Sequence, residues 1–166
     1  MATRSTIAMK TPEGKIRAIY CHWDGYPAHN GEMLRRYYTD PAKIKALIDL
    51  GDLSSLRPEI GEKHPFDRNY DEPELDKMYE DWTTAYHRDR GEEWARVAPC
   101  TFDNIPDWVS NFDMGVEYYY LWGGDQWLVN AYEEKDSSGF PIFDLVSTKI
   151  TPDQLKEMGW EPESVA

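Results

Sequence analysis

Basic residues are scarce. The 166-residue chain carries 18 Lys and Arg against 31 Asp and Glu, a formal charge of −13. Direct binding to a nucleic-acid backbone is disfavoured, because phosphate contact needs clustered lysine and arginine. Cysteine is scarcer still. Cys21 and Cys100 show neither metal-ligand spacing nor a disulfide framework, so no metal is predicted and both suit a reducing cytosol as ordinary thiols. No apolar run approaches a membrane span, and MATRSTIAMKTPEGK lacks the apolar stretch of a signal peptide. These absences predict a cytoplasmic protein with no membrane partner and no cofactor. A Walker phosphate loop, a dinucleotide fingerprint and a nucleophile elbow are also missing.

Aromatic residues are plentiful: five Phe, seven Trp and eleven Tyr. With 40% hydrophobic residues, that load excludes a disordered chain and predicts one folded domain over 1–166. The charge is unevenly placed. Residues 1–63 hold ten bases and eight acids, residues 64–98 five and ten, and residues 99–166 three and thirteen. The acidity therefore belongs to the last two thirds. It suits a partner protein with a basic surface, and it equally suits plain solubility.

Turn chemistry divides the chain. STIAMK and KIRAIYCH flank Pro12 and Gly14, which reads as a β-hairpin. Asn30 is a candidate N-cap for a helix reaching Tyr38, and Asp40-Pro41 starts a second helix that Gly51 closes. TTAYH at 83–87 reads as a strand followed by an exposed RDRGEE turn, and Asn104 precedes a short helix. VEYYYLW and QWLVNAYE flank Gly123-Gly124-Asp125 as a second hairpin, FPIFDLV adds a third strand, and Thr151-Pro152 opens a helix ended by Gly159. The predicted class is α+β: an antiparallel sheet from the N-terminal hairpin and the C-terminal aromatic meander, with helices mainly on one face.

Four residue sets are candidates for chemistry. His22 with Asp24, and His87 with Asp89, have the spacing that puts an imidazole and a carboxylate on one face of an extended chain, as an acid–base pair requires. HRD at 87–89 superficially resembles the protein-kinase catalytic loop, but that loop needs Asn where this chain has Trp94, and no DFG triplet follows. Arg4, His22, Trp23, Tyr26, Arg35, Arg36, Arg88 and Arg90 combine rings that stack on bases with guanidinium groups that hold phosphate. These residues also suit a plain structural corner, with the arginines paired to surface acids. The fourth set is the acidic segment of Glu74, Asp76, Glu80 and Asp81, with Trp108, Trp122 and Trp127 as interface anchors if exposed.

TRSTIA at 3–8, YCHWDGYPAHNG at 20–31, LGDLSSL at 50–56 and AYHRDRGE at 85–92 resemble a widespread family of small uncharacterised phage- and prophage-encoded proteins. The resemblance covers the first 92 residues well and the C-terminal strands loosely. It implies a phage-type accessory product turned against host defence, by analogy with other small phage proteins. Two modes follow. The first is a non-enzymatic counter-defence inhibitor whose acidic surface mimics nucleic acid and blocks a basic host protein. The second is a nucleotide sponge, or a nucleotide-processing enzyme, with its pocket between the YCHWDGY and HRDR segments. A homo-oligomer or virion component, with YCHWDGYPAHNG as a structural corner only, remains a third.

Overall fold

The computed structural model describes residues 2–66, 78–112 and 114–160. β1 (Ser5–Lys10) and β2 (Ile16–Cys21) form the expected hairpin, turned at Gly14, whose φ of +81° suits a residue without Cβ. The sheet is completed by β3 (Leu53–Ser55), β4 (Thr84–Ala85), β5 (Cys100–Phe102), β6 (Tyr118–Trp122), β7 (Trp127–Ala131) and β8 (Asp144–Leu145). It has eight strands in the order β4-β3-β2-β1-β6-β7-β8, with β5 paired to β2.

The sheet is mixed, not antiparallel. β6 runs parallel to β1, and β3 parallel to β2. Tight turns impose antiparallel pairing only within each hairpin. The long crossovers between hairpins leave the strand direction to packing. β2 shares its outer edge between two partners: Ile16–Ala18 pair with β5, and Cys21 pairs with β3. The Tyr20 N–H falls in the gap between them, and Asp52 Oδ1 accepts it at 2.9 Å.

Pro27–Gly31 form a π-helical turn that runs into α1 (Glu32–Tyr37), so the helix starts before Asn30, and Asn30 does not cap it. The Asp40 carboxylate accepts from Ala42 N–H and caps α2 (Pro41–Asp49), whose Ile44, Leu47 and Ile48 are buried at helical spacing. α3 (Tyr86–Arg90) replaces the strand expected over 83–87, which survives only as β4. α4 (Trp94–Val97) follows. Asn104 caps α5 (Ile105–Asn111), and Thr151 with Gln154 forms a capping box on α6 (Pro152–Glu157). The strand expected over 140–146 shrinks to β8, leading into a 3₁₀ turn over Val146–Lys149.

Both faces of the sheet are covered. On one, Ile7, Ile19, Tyr120 and Val129 pack under Leu34 of α1, Ile44 and Leu47 of α2, and Val146. On the other, Ala8, Ala18, Tyr119 and Leu121 pack under Trp108 and Val109 of α5, closed by Phe112. Among the described residues, α1 and α2 thus cover the first face and α5 the second. Alternate residues of β2 and β6 are apolar on both sides, so each face needs a cover, worth about 1.5–3 kcal/mol per fully buried large side chain.

Candidate functional site

YCHWDGYPAHNG leaves β2 and turns sharply. His22 N–H and Trp23 N–H still bond to the Leu53 and Ser54 carbonyls, so the strand runs on beside β3. Asp24 then adopts φ +58°, a left-handed conformation that aspartate tolerates better than most residues. Gly25 follows where any Cβ would lie 2.8 Å from Thr3 O and from Ser5 Cβ. The turn swings the chain into Pro27–Gly31 and buries His29 and Asn30 behind the corner.

A chain of directed hydrogen bonds begins there. The Trp23 carbonyl accepts from Asn30 Nδ2 at 3.1 Å, which fixes the amide orientation. Asn30 Oδ1 must then accept, and His29 Nδ1 lies 2.9 Å from it, so Nδ1 carries the hydrogen. His29 Nε2 is left with its lone pair, 3.2 Å from Arg57 Nη1, which donates to it. Burial, and to a smaller degree Arg57, hold His29 below the ordinary histidine range, so it is neutral at pH 7. Protonating Nε2 would set one N–H against another. A neutral histidine therefore holds a guanidinium that no carboxylate pairs with among the described residues.

Arg57 is anchored through its backbone as well. Its N–H bonds to Thr83 Oγ1 at 3.0 Å, and its carbonyl accepts from the Tyr38 hydroxyl at 2.7 Å. Its Nε is buried and has no acceptor. Arg57 lines a cleft of about 180 Å³. Trp23, with 45% of its surface exposed, stands in the wall with Phe66 and Tyr79. Ser54, Ser55 and Thr84 add hydroxyls, and Asp24 adds a carboxylate. Asp24 Oδ2 is 4.0 Å from His29 Nε2, the same nitrogen that Arg57 faces. A pinned cation, an exposed indole and several hydroxyls make a receptor for a planar group carrying an anion.

The other candidate residues are scattered. Tyr26 stands beside the corner, its ring centroid 6.1 Å from that of His29 and its hydroxyl against Met158 Sδ. His22 Nδ1 is 2.7 Å from the Tyr20 hydroxyl, and no hydrogen bond or ion pair joins His22 to Asp24 among the described residues. Burial and the nearby Arg4 hold His22 below the ordinary histidine range, while Arg4 itself donates to the Met114 carbonyl. His87 and Asp89 lie on a helix, where residues two apart point about 200° away from each other. His87 bonds the Glu92 carbonyl at the surface. Asp89 is buried, accepting from His64 N–H, Ala85 N–H and Arg88. The two His-x-Asp pairs are not brought together.

Arg88 is structural. It donates to the Ile60, Gly61 and Thr83 carbonyls and to Asp89, tying the residues before β4 to α3. Arg90 pairs with Glu92 and stacks on Phe66 and Tyr86, and it lines a second cleft with Asp52, Tyr20 and Arg96. Arg35 and Arg36 pair with Glu32, a carboxylate only 1% exposed. Arg35 also borders a third cleft with Trp122 and Trp127. Those two tryptophans and Trp108 are buried, packing the core instead of presenting exposed anchors. Of the acidic set, Glu80 is exposed and Asp81 half-buried, while Glu74 and Asp76 lie outside the described residues.

Arg57 was missed by inspection of the sequence. It sits in LRPEI with no motif around it, and only the fold brings it to Trp23. No group of three or more His, Cys, Asp or Glu among the described residues is arranged to hold a metal ion. No helix there is long and apolar enough to cross a membrane. No protein-family model matches the chain, and no curated protein or solved structure matches it significantly.

Proposed function

We propose that the protein binds a small nucleotide-type ligand, with the base stacked on Trp23 and the phosphate on Arg57. One observation carries this function: in a chain with 31 acids, Arg57 is held by neutral His29 and by no carboxylate among the described residues, at the edge of an aromatic cleft. An arginine kept for packing is ordinarily neutralised, whereas one held by a neutral acceptor keeps its charge for a ligand. Both His29 nitrogens are committed to Asn30 and Arg57, which favours capture over turnover. In the phage setting that the sequence resemblance implies, such capture withdraws a nucleotide from a host signalling pathway.

Isothermal titration with AMP and GMP tests this. Wild type binds. Trp23→Ala, at an exposed ring, weakens binding by roughly 5- to 100-fold, the worth of one base stack. Arg57→Lys, which keeps the charge but loses the fork, weakens it as well. Equal affinity in wild type and both variants, or no binding by wild type, overturns the function.

A second function, an acidic inhibitor that covers a basic host protein, is favoured by the exposure of Asp103, Asp125, Glu133, Glu134 and Asp136 on the C-terminal half. Charge reversal at Asp125 and Glu134 should weaken target binding at low salt, and unchanged binding removes this mechanism.

A further inference from the structure

We infer that Trp160 is a positioning residue of the nucleotide site: through it, residues 151–160 strap the back of the 24–30 corner and hold His29 and Asn30 in place. The effect on affinity rests on the nucleotide function proposed above, and the effect on the corner does not.

The strap is built locally and attached at its far end. Thr151 and Gln154 box the start of α6, and none of the helix's side chains is buried. A helix of six residues has little stability of its own. Gly159, at φ +74°, then turns the chain: Gly159 N–H and Trp160 N–H return to the Lys156 and Leu155 carbonyls, both at 3.1 Å. This Schellman turn places Trp160 against the corner. The indole Nε1–H donates to the Ala28 carbonyl at 2.7 Å. The indole ring lies 5.0 Å from the Arg36 guanidinium and 6.4 Å from the Tyr37 ring. Met158 Sδ accepts from the Tyr26 hydroxyl at 3.8 Å.

Two of these contacts fall on the corner itself. Tyr26 and Ala28 flank Pro27, where the π-helical turn begins, and all of Pro27–Gly31 is buried. That winding is rare and depends on its surroundings. His29 N–H bonds the Tyr26 carbonyl at 3.0 Å, and Asn30 N–H bonds the Asp24 carbonyl at 3.1 Å. The side chains of the same two residues carry the relay to Arg57 and to the Trp23 carbonyl. A shift of Tyr26 or Ala28 is therefore felt directly at His29. Strap docking and ligand binding are coupled, and reciprocally so: what the docked strap adds to affinity, the bound ligand adds to docking.

Amide hydrogen exchange at pH 7.5, followed by NMR on the full chain with and without AMP, tests this. Trp160→Ala should speed exchange about tenfold at Met158 and Gly159 and also at His29 and Asn30, leaving β1 and β6 unchanged. Trp160→Phe, which keeps a ring and loses the donor, should give smaller changes at the same amides. By calorimetry, Trp160→Ala should weaken AMP binding about fivefold or more, and saturating AMP should slow wild-type exchange at Met158 and Gly159 by the same factor. Unchanged exchange at His29 and Asn30 once the strap amides are released overturns the inference. So does faster exchange throughout β1 and β6 in both variants, which would make Trp160 a support of the whole fold. Equal AMP affinity in wild type and Trp160→Ala overturns the coupling and leaves the nucleotide function standing. If wild type binds no AMP, the nucleotide function falls, and exchange at His29 and Asn30 still decides whether the strap holds the corner.

Discussion

Replacing Asp52 with asparagine should stabilise the fold at neutral pH and have little effect near pH 4. Asp52 sits where β2 passes from β5 to β3, and its Oδ1 accepts the Tyr20 N–H that neither strand reaches. Asparagine keeps that acceptor. What it removes is a carboxylate that burial pushes up to about 6 against an ordinary 3.8, with the Tyr20 N–H as a smaller opposing influence. The sign follows directly. A carboxyl whose folded value is raised binds its proton more tightly in the native state, so its contribution is most favourable below the unfolded value and is lost as pH rises through about 6. Fully ionised, it costs about 3 kcal/mol, from about 1.4 kcal/mol for each tenfold step in proton affinity. The new amide N–H₂ must find a partner at the mouth of the second cleft, so a net gain of about 1–2 kcal/mol is expected above pH 7. For a chain of this length that raises Tm by about 2–8 °C. Urea denaturation of wild type and D52N at pH 4.5, 6 and 7.5 reads the difference directly, with the other carboxylates cancelling between the two. A difference that is flat with pH, or a loss of stability at pH 7.5, refutes the account. Asp52→Ala is the control: it leaves Tyr20 N–H unpaired and should cost about 1–3 kcal/mol at pH 4.5.

Acidification should weaken ligand binding through His29. Its folded value is depressed, so its contribution is intact above the ordinary histidine range and is lost as pH falls through the depressed value; Nε2–H then opposes Arg57 Nη1, with Asp24, Tyr26 and Asn30 the other groups facing the ring. Affinity for cyclic AMP, whose diester does not titrate in this range, measured from pH 8 to pH 5 should fall with one protonation, and a flat profile contradicts the relay. Gly25→Ala should destabilise by about 1–3 kcal/mol, because its Cβ would meet Thr3 O and Ser5 Cβ at 2.8 Å; an unchanged Tm would show that the corner yields. Leu47→Ala, fully buried between α2 and the sheet, should cost about 2–5 kcal/mol in urea denaturation.

Local chemistry was legible in the sequence wherever one side chain decides. Asp40-Pro41, Asn104 and Thr151-Pro152 mark helix starts because each satisfies a free N–H of its own first turn, and all three hold. Gly51 and Gly159 stop their helices at positive φ for an equally local reason. Pairing between distant segments was not legible. The parallel union of β1 with β6 depends on which apolar faces meet, and no turn residue encodes it. β3 and β5 are three residues each and carry no alternation to detect. α3 was hidden for another reason. TTAYH has the composition of a strand, but Asp89 reaches back to the Ala85 N–H and Gly91, at φ +78°, ends a short helix. Within the site, the sequence marked Trp23, Asp24 and Tyr26 by their density of rings and turn residues. Arg57 had no such mark, because its role comes from the Trp23–Asn30–His29 chain of hydrogen bonds that only the folded corner assembles.

The central claim is that one cleft, bounded by Trp23 and Arg57, receives the ligand. Titrating ¹⁵N-labelled protein with cyclic AMP and with AMP, and following the backbone amides and the indole and guanidinium N–H signals, locates binding residue by residue. The account predicts shifts centred on the Trp23 indole, the Arg57 Nε–H and the amides of Ser54, Ser55 and Thr84. Shifts centred instead on the cleft of Arg90 and Arg96, on that of Arg35 and Asp125, or on none of them at millimolar nucleotide, would contradict it.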